Sequence, residues 1–143
     1  MSDDIKQQET LDLLTLVSRA SAREAAEALR ASGLTLAQFS LLDLIEKEGI
    51  RFPTALARKL DIESSTMAAI LKRAERDGLV LRSPDPKDAR GIVVEVTEQG
   101  RGLLPEARRA LAAVEQKLTK DIDAQDLESA RTAMQAMLLN LRK

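Results

Sequence analysis

The sequence predicts a mostly α-helical chain with one small β-hairpin, and three observations predict it. Two short β-prone runs, Leu79-Val80-Leu81-Arg82 and Ile92-Val93-Val94-Glu95-Val96-Thr97, frame the loop Ser83-Pro84-Asp85-Pro86-Lys87-Asp88-Ala89-Arg90-Gly91. The segment just upstream reads as two short helices joined by a tight turn. The rest of the chain has helical periodicity. Helix, turn, helix and basic hairpin, in that order, make a winged helix, here flanked by long helices at both ends.

The elements follow in order. Residues 7–31 make a first helix, with Leu13, Leu16, Val17 and Ala20 on one stripe and an Ala-rich second half, ended by Ser32-Gly33. Thr35-Leu36-Ala37-Gln38 is a capping box that opens the second helix, with Leu34 placed to staple onto Phe39. That helix runs through Leu41, Leu42, Leu44 and Ile45 to Gly49. Pro53 suits the first position of a third helix ending at Leu60. Asp61-Ile62-Glu63 is the turn, and the fourth helix spans Ser64 to Asp77, closed by Gly78. Two Pro, two Asp and a closing Gly make the hairpin loop too long and too charged for a minimal turn. Thr97 caps a fifth helix to about Lys120, which Pro105 is expected to bend, because it cannot donate to the Arg101 carbonyl. Asp123 caps the last helix, with Ile122 placed to staple onto Leu127. Leu127, Ala130, Met134, Met137, Leu138 and Leu141 form its apolar stripe.

Composition narrows the chemistry. A length of 143 residues suits one domain, here 1–143, with a core of its own. Cys, His, Trp and Tyr are all absent. Disulfides, thiolate chemistry, an orthodox zinc site and an imidazole base are therefore excluded, and no metal or other cofactor is expected. Carboxylates are abundant, but they alternate with Lys and Arg on helix surfaces and read as solvated faces, so the chain is not expected to be an enzyme. Met1-Ser2-Asp3-Asp4-Ile5 lacks the basic and apolar regions of a signal peptide, and no apolar run approaches the ~20 residues of a membrane span. The cytoplasm is the expected location, with no membrane partner.

The formal net charge is −1, unevenly spread. Residues 1–50 carry five Lys/Arg and nine Asp/Glu, giving −4; residues 51–109 carry twelve and nine, giving +3; residues 110–143 carry five of each. The positive excess falls on the helix-turn-helix and the hairpin. Lys87 and Arg90 stand at the tip of a narrow stalk, a shape suited to the minor groove of a duplex.

Leu56-Ala57-Arg58-Lys59-Leu60-Asp61-Ile62 through Asp77-Gly78-Leu79-Val80, then Asp85-Pro86-Lys87-Asp88-Ala89-Arg90-Gly91 and Val96-Thr97-Glu98-Gln99-Gly100, form a four-part series at fixed spacing. In that series the chain resembles the MarR family of bacterial transcription regulators, over nearly its whole length. The resemblance implies a winged helix-turn-helix lobe over 34–100 and a helical dimerisation region from 5–33 and 101–143. It further implies a homodimer interlocked through the first, fifth and sixth helices and placed on palindromic duplex DNA. Small molecules often release such regulators by binding between stem and lobe.

Site residues follow. The fourth helix is the expected reader of the major groove, through Ser64, Ser65, Thr66, Ala68, Ala69 and Lys72. The hydroxyls can meet phosphate or base, Ala and the Thr methyl can touch a thymine methyl, and Lys72 supplies the charged contact. Many members of the family carry a longer polar or basic side chain where Ala69 stands, so specificity is expected to lean on groove shape. The competing reading of Ser64-Ser65-Thr66 is helix capping. Arg90 matches the family's minor-groove arginine, and Asp88 is placed to brace its guanidinium. Lys87, Arg82 and Arg51 are expected at phosphates, with Thr54 nearby at the start of the third helix. Either Arg73 or Arg76 is expected to pair with the wing. Arg19 and Phe39 are the candidate ligand residues, and the chain has only two aromatic residues, Phe39 and Phe52, to furnish a pocket.

The function expected is thus a DNA-binding regulator, a repressor in the first reading, that holds a pseudo-palindromic site as a homodimer. The alternative is a winged helix used as a protein-interaction module, favoured by the weak net charge and the Ala-rich reading helix. Single-stranded nucleic acid is disfavoured, because stacking aromatics are missing.

Overall fold

A computed structural model describes residues 9–142. The helices are α1 (Thr10–Leu29), α2 (Leu36–Glu48), α3 (Pro53–Leu60), α4 (Ser64–Arg76), α5 (Glu98–Leu118) and α6 (Ala124–Leu141). Strands β1 (Val80–Asp85) and β2 (Asp88–Val96) form the antiparallel hairpin between α4 and α5. The start expected for the first helix at residue 7, the stem's first residues 5–8, the N-terminal segment and residue 143 lie outside the described residues. At its other end α1 stops at Leu29 and tightens into a 3-10 turn, Arg30–Ser32, closed by Gly33 at φ 76°.

Local chemistry sets most boundaries. Thr35 and Gln38 form a reciprocal capping box: the Gln38 amide N–H donates to Thr35 Oγ1 at 3.0 Å, and the Thr35 N–H donates to Gln38 Oε1 at 3.1 Å. Pro53 occupies the first turn of α3. Asp61 takes a left-handed conformation (φ 56°) to turn the chain between α3 and α4. Asp123 caps α6 by accepting from the Gln125 N–H at 3.3 Å. Thr97 does two jobs at the start of α5. Its Oγ1 accepts from the Gly100 N–H at 3.0 Å and donates to the Gly78 carbonyl at 2.7 Å, which ties the wing base to the helix. Gly100 is required there, since a Cβ would lie 2.5 Å from the Leu79 carbonyl oxygen.

The hairpin differs from its expected form. The ladder extends to Asp85 and Asp88, leaving a two-residue turn at Pro86-Lys87 in place of a long loop over 83–91. Two carboxylates fold the tip: Asp85 Oδ1 accepts from the Lys87 N–H at 2.9 Å and Asp88 Oδ1 from the Arg90 N–H at 3.0 Å. Both strands are edges, so Pro84 breaks no second ladder. The extra length is stored in a bulge. Pairing steps from Pro84–Ile92 to Asp85–Asp88, so Ala89, Arg90 and Gly91 have no partner on β1.

Helix α5 runs from Glu98 to Leu118 with Pro105 inside it, held on either side of the proline by the buried anchors Leu104 and Ala107. The core fills residues 34–100 and takes in the adjoining parts of α1 and α5: Leu29, Leu41, Leu42, Leu56, Met67, Leu71, Val80, Val94 and Leu104 are fully buried. Helix α6 adds nothing to it, having no buried residue.

Candidate nucleic-acid interface

Helix α4 is two-faced. Met67, Leu71 and Ala74, at helical spacing, are buried beneath it, while Ser64, Ser65, Thr66, Ala68, Ala69 and Lys72 are all exposed on the opposite side. The N-cap residue is Glu63, whose side chain makes no capping bond, and Ser64 is already the first helical residue. The serines and threonine therefore do not serve as the cap. Their hydroxyls, together with the first amide groups of the helix, face outward. Thr54 is exposed beside them: Pro53, Thr54, Ser64, Ala68, Arg82 and Ile92 help line a shallow cleft between α3, α4 and the wing.

The wing supplies two kinds of cation. Lys87 and Arg90 are exposed and make no ion pair among the described residues. Asp88 does not brace the Arg90 guanidinium as expected, since its carboxylate reaches the Arg90 backbone N–H two residues on and folds the bulge. Arg82, expected at phosphate, donates to Glu75 at 2.8 Å and ties β1 to α4. The Arg82 hydrogen bond holds the Glu75 carboxyl below its ordinary pKa, against the opposing effect of burial, and the same contact raises that of Arg82. This is the wing-to-helix ion pair that was expected of Arg73 or Arg76. Those two instead approach Asp77 at the end of α4, at 4.0 and 3.4 Å. Arg51 pairs loosely with Glu95 at 3.5 Å with both side chains more than half exposed, a contact weak enough to yield to a phosphate.

Sequence reasoning missed a polar junction behind α4. Gln38, only 2% exposed, donates from Nε2 to Asp77 Oδ2 at 2.9 Å across thirty-nine positions of sequence. That hydrogen bond holds the Asp77 carboxyl below its ordinary range, opposed by burial and reinforced by Arg76 and Arg73. Its one trace in the sequence is a capping-box Gln, whose second role has no local signature. Arg19 and Phe39 are not drawn into one ligand pocket. Arg19 is exposed on α1, and Phe39 is half-buried against the core. The clefts between α1 and α5 are lined by other residues, chiefly Val17, Ala20, Ser21, Leu111, Val114 and Leu118.

Among the described residues no cluster of acidic side chains has the arrangement of a metal site, and no helix is long and apolar enough to cross a membrane. The exposed surface offers hydroxyls, one lysine and two unpaired wing cations on convex elements, a set that suits contact with a large polyanion.

A family model described as the MarR family matches residues 34–92. The chain is 33% identical to an HTH-type transcriptional regulator of Mycobacterium leprae over 98 residues, which cover 67% of this chain and 68% of that protein. Among solved structures, a serine-for-cysteine variant of MarR from E. coli, complexed with operator DNA, is similar at a TM-score of 0.83 and 26% identity, covering 89% of this chain and 91% of that one. CouR from Rhodococcus jostii RHA1, bound to p-coumaroyl-CoA, is similar at 0.78 and 25% identity, covering 87% and 88%.

Proposed function

The chain belongs to the MarR family, and from that premise we propose that it is a cytoplasmic repressor that holds a pseudo-palindromic duplex site as a homodimer. That it is a DNA-binding transcription regulator and not an enzyme follows from the family itself. The observation that carries the finer reading is the exposed face of α4, with its hydroxyls and Lys72, standing beside a wing whose Arg90 guanidinium makes no ion pair among the described residues. In this reading α4 enters the major groove and each wing tip enters the adjacent minor groove, where narrow A·T tracts concentrate negative potential. Lys87, Arg51 and Thr54 meet phosphates, while Arg82 fixes the wing's angle to α4 through Glu75.

The dimer is supported by α6. It carries Met134, Leu138 and Leu141 at 46%, 41% and 83% exposure, a stripe that a second copy would cover. Residues 5–33 and 101–143 make the dimerisation region and 34–100 the DNA-binding lobe. Half-sites then fall about one helical turn apart. Release by a small molecule is supported by CouR's ligand and by the apolar clefts along α1 and α5.

The test is titration of the protein against a duplex selected from random DNA, at several salt concentrations. A regulator loses affinity with a log–log slope of about −0.9 per neutralised phosphate. An adaptor that only binds proteins shows no duplex binding at any salt.

A further inference from the structure

We propose that Gln38 is a positioning residue for DNA reading: its buried amide fixes α4 from the first turn of α2. The proposal rests on the regulator reading for its consequence, but its geometry is independent of DNA.

Helix α4 is held to the lobe by a thin apolar stripe of Met67, Leu71 and Ala74. Apolar contact is non-directional, so such a stripe resists separation far better than it resists rolling or pivoting. The directed contacts are at the helix's C-terminal end, where Glu75 holds the wing through Arg82 at 2.8 Å and Asp77 faces the body of the lobe. There Asp77 receives the Gln38 amide at 2.9 Å, and Gln99 from the start of α5 donates to the Asp77 carbonyl at 3.5 Å. Gln38 is itself held at the other end, because its Oε1 accepts from the Thr35 N–H in the capping box. One side chain thus joins the entry to α2, which follows directly from α1 and Gly33, to the end of the reading helix.

Lever arithmetic shows why the anchor matters. Thirteen residues at about 1.5 Å each separate the anchored end from Ser64 by roughly 20 Å. A pivot of about 5° moves the reading end by roughly 1.7 Å, several times the tolerance of a hydrogen bond to a base edge or phosphate.

Polarity exchange tests this. Gln38→Glu keeps an acceptor for the Thr35 N–H but sets a carboxylate against Asp77. Asp77→Asn keeps an acceptor for Gln38. The pair together restores the link in reverse, with the new amide donating to the new carboxylate. Affinity for the selected duplex is expected to fall about tenfold or more with Gln38→Glu, about threefold or less with Asp77→Asn, and to return to within about threefold of the parent in the pair. Loss in the pair equal to or greater than that in Gln38→Glu overturns the proposal, as does parental affinity in Gln38→Glu. Amide hydrogen exchange over residues 64–77, measured without DNA, is expected to quicken in Gln38→Glu and recover in the pair. Unchanged exchange overturns the positioning claim even if the parent binds no duplex, an outcome that would separately refute the regulator reading.

Discussion

Arg90→Ala is the sharpest perturbation of the wing. Arg90 is exposed, lies in a bulge without a strand partner, and pairs with no carboxylate among the described residues. Its removal leaves no charge unpaired, so the change in folding stability is expected to stay within about 0.5 kcal/mol. Whatever is lost in binding is therefore lost at the DNA. An arginine reading a groove contributes about 1–3 kcal/mol. Two wings per dimer make the floor about 2 kcal/mol, or roughly a thirtyfold rise in Kd. The assay is fluorescence anisotropy on one selected site built with A·T-rich or G·C-rich flanks. The loss should be greatest on A·T-rich flanks, because a narrow minor groove concentrates the potential that Arg90 meets. Arg90→Lys should recover affinity only in part. An equal loss on both flanks, with the salt slope reduced by the value for two phosphates, would refute groove reading and leave Arg90 as a backbone contact.

Three other outcomes are expected. Gly100→Ala drives a methyl group into the Leu79 carbonyl and should destabilise the lobe by about 1–3 kcal/mol in urea unfolding; parental stability would contradict the packing described at the wing base. Deletion of residues 124–143 should yield monomers or aggregates by light scattering, and a well-folded monomer that binds DNA would contradict the dimer. Glu75 and Asp77 have depressed pKa values in the folded protein, so the unfolded chain takes up their protons first. Their contribution is complete above the ordinary carboxylate values of about 3.9–4.3 and fades as pH falls below them. Unfolding at pH 7, 5 and 3 should show that fade, less steeply in Glu75→Gln with Asp77→Asn; an unaltered acid profile in the double variant would remove these carboxyls from the account.

Much of the fold was legible because its signals are local. The Thr35–Gln38 box, Pro53, Thr97, Asp123 and the left-handed glycines each act within four residues, and each sits where the sequence places it. The exposed face of α4 follows from helical periodicity in the same way. Contacts across the sequence were less visible. Arg82 looks free for a phosphate in the sequence because its partner Glu75 lies on another element, and nothing in either residue's neighbourhood marks the pair. A carboxylate two residues before an arginine, as at Asp88, can reach either its guanidinium or its N–H, and the turn geometry decides for the N–H. The sequence suggests a long loop because two prolines normally argue against a strand, an objection that loses its force in a ribbon with two free edges.

The central claim is that two copies of α4 and two wings meet one duplex at fixed separation. A hydroxyl-radical footprint of the full-length protein on its selected site tests it most directly. Two related patches of protection, centred about 10–10.5 base pairs apart and each flanked by minor-groove protection, are the expected pattern. A single patch, or protection without that spacing, would contradict it.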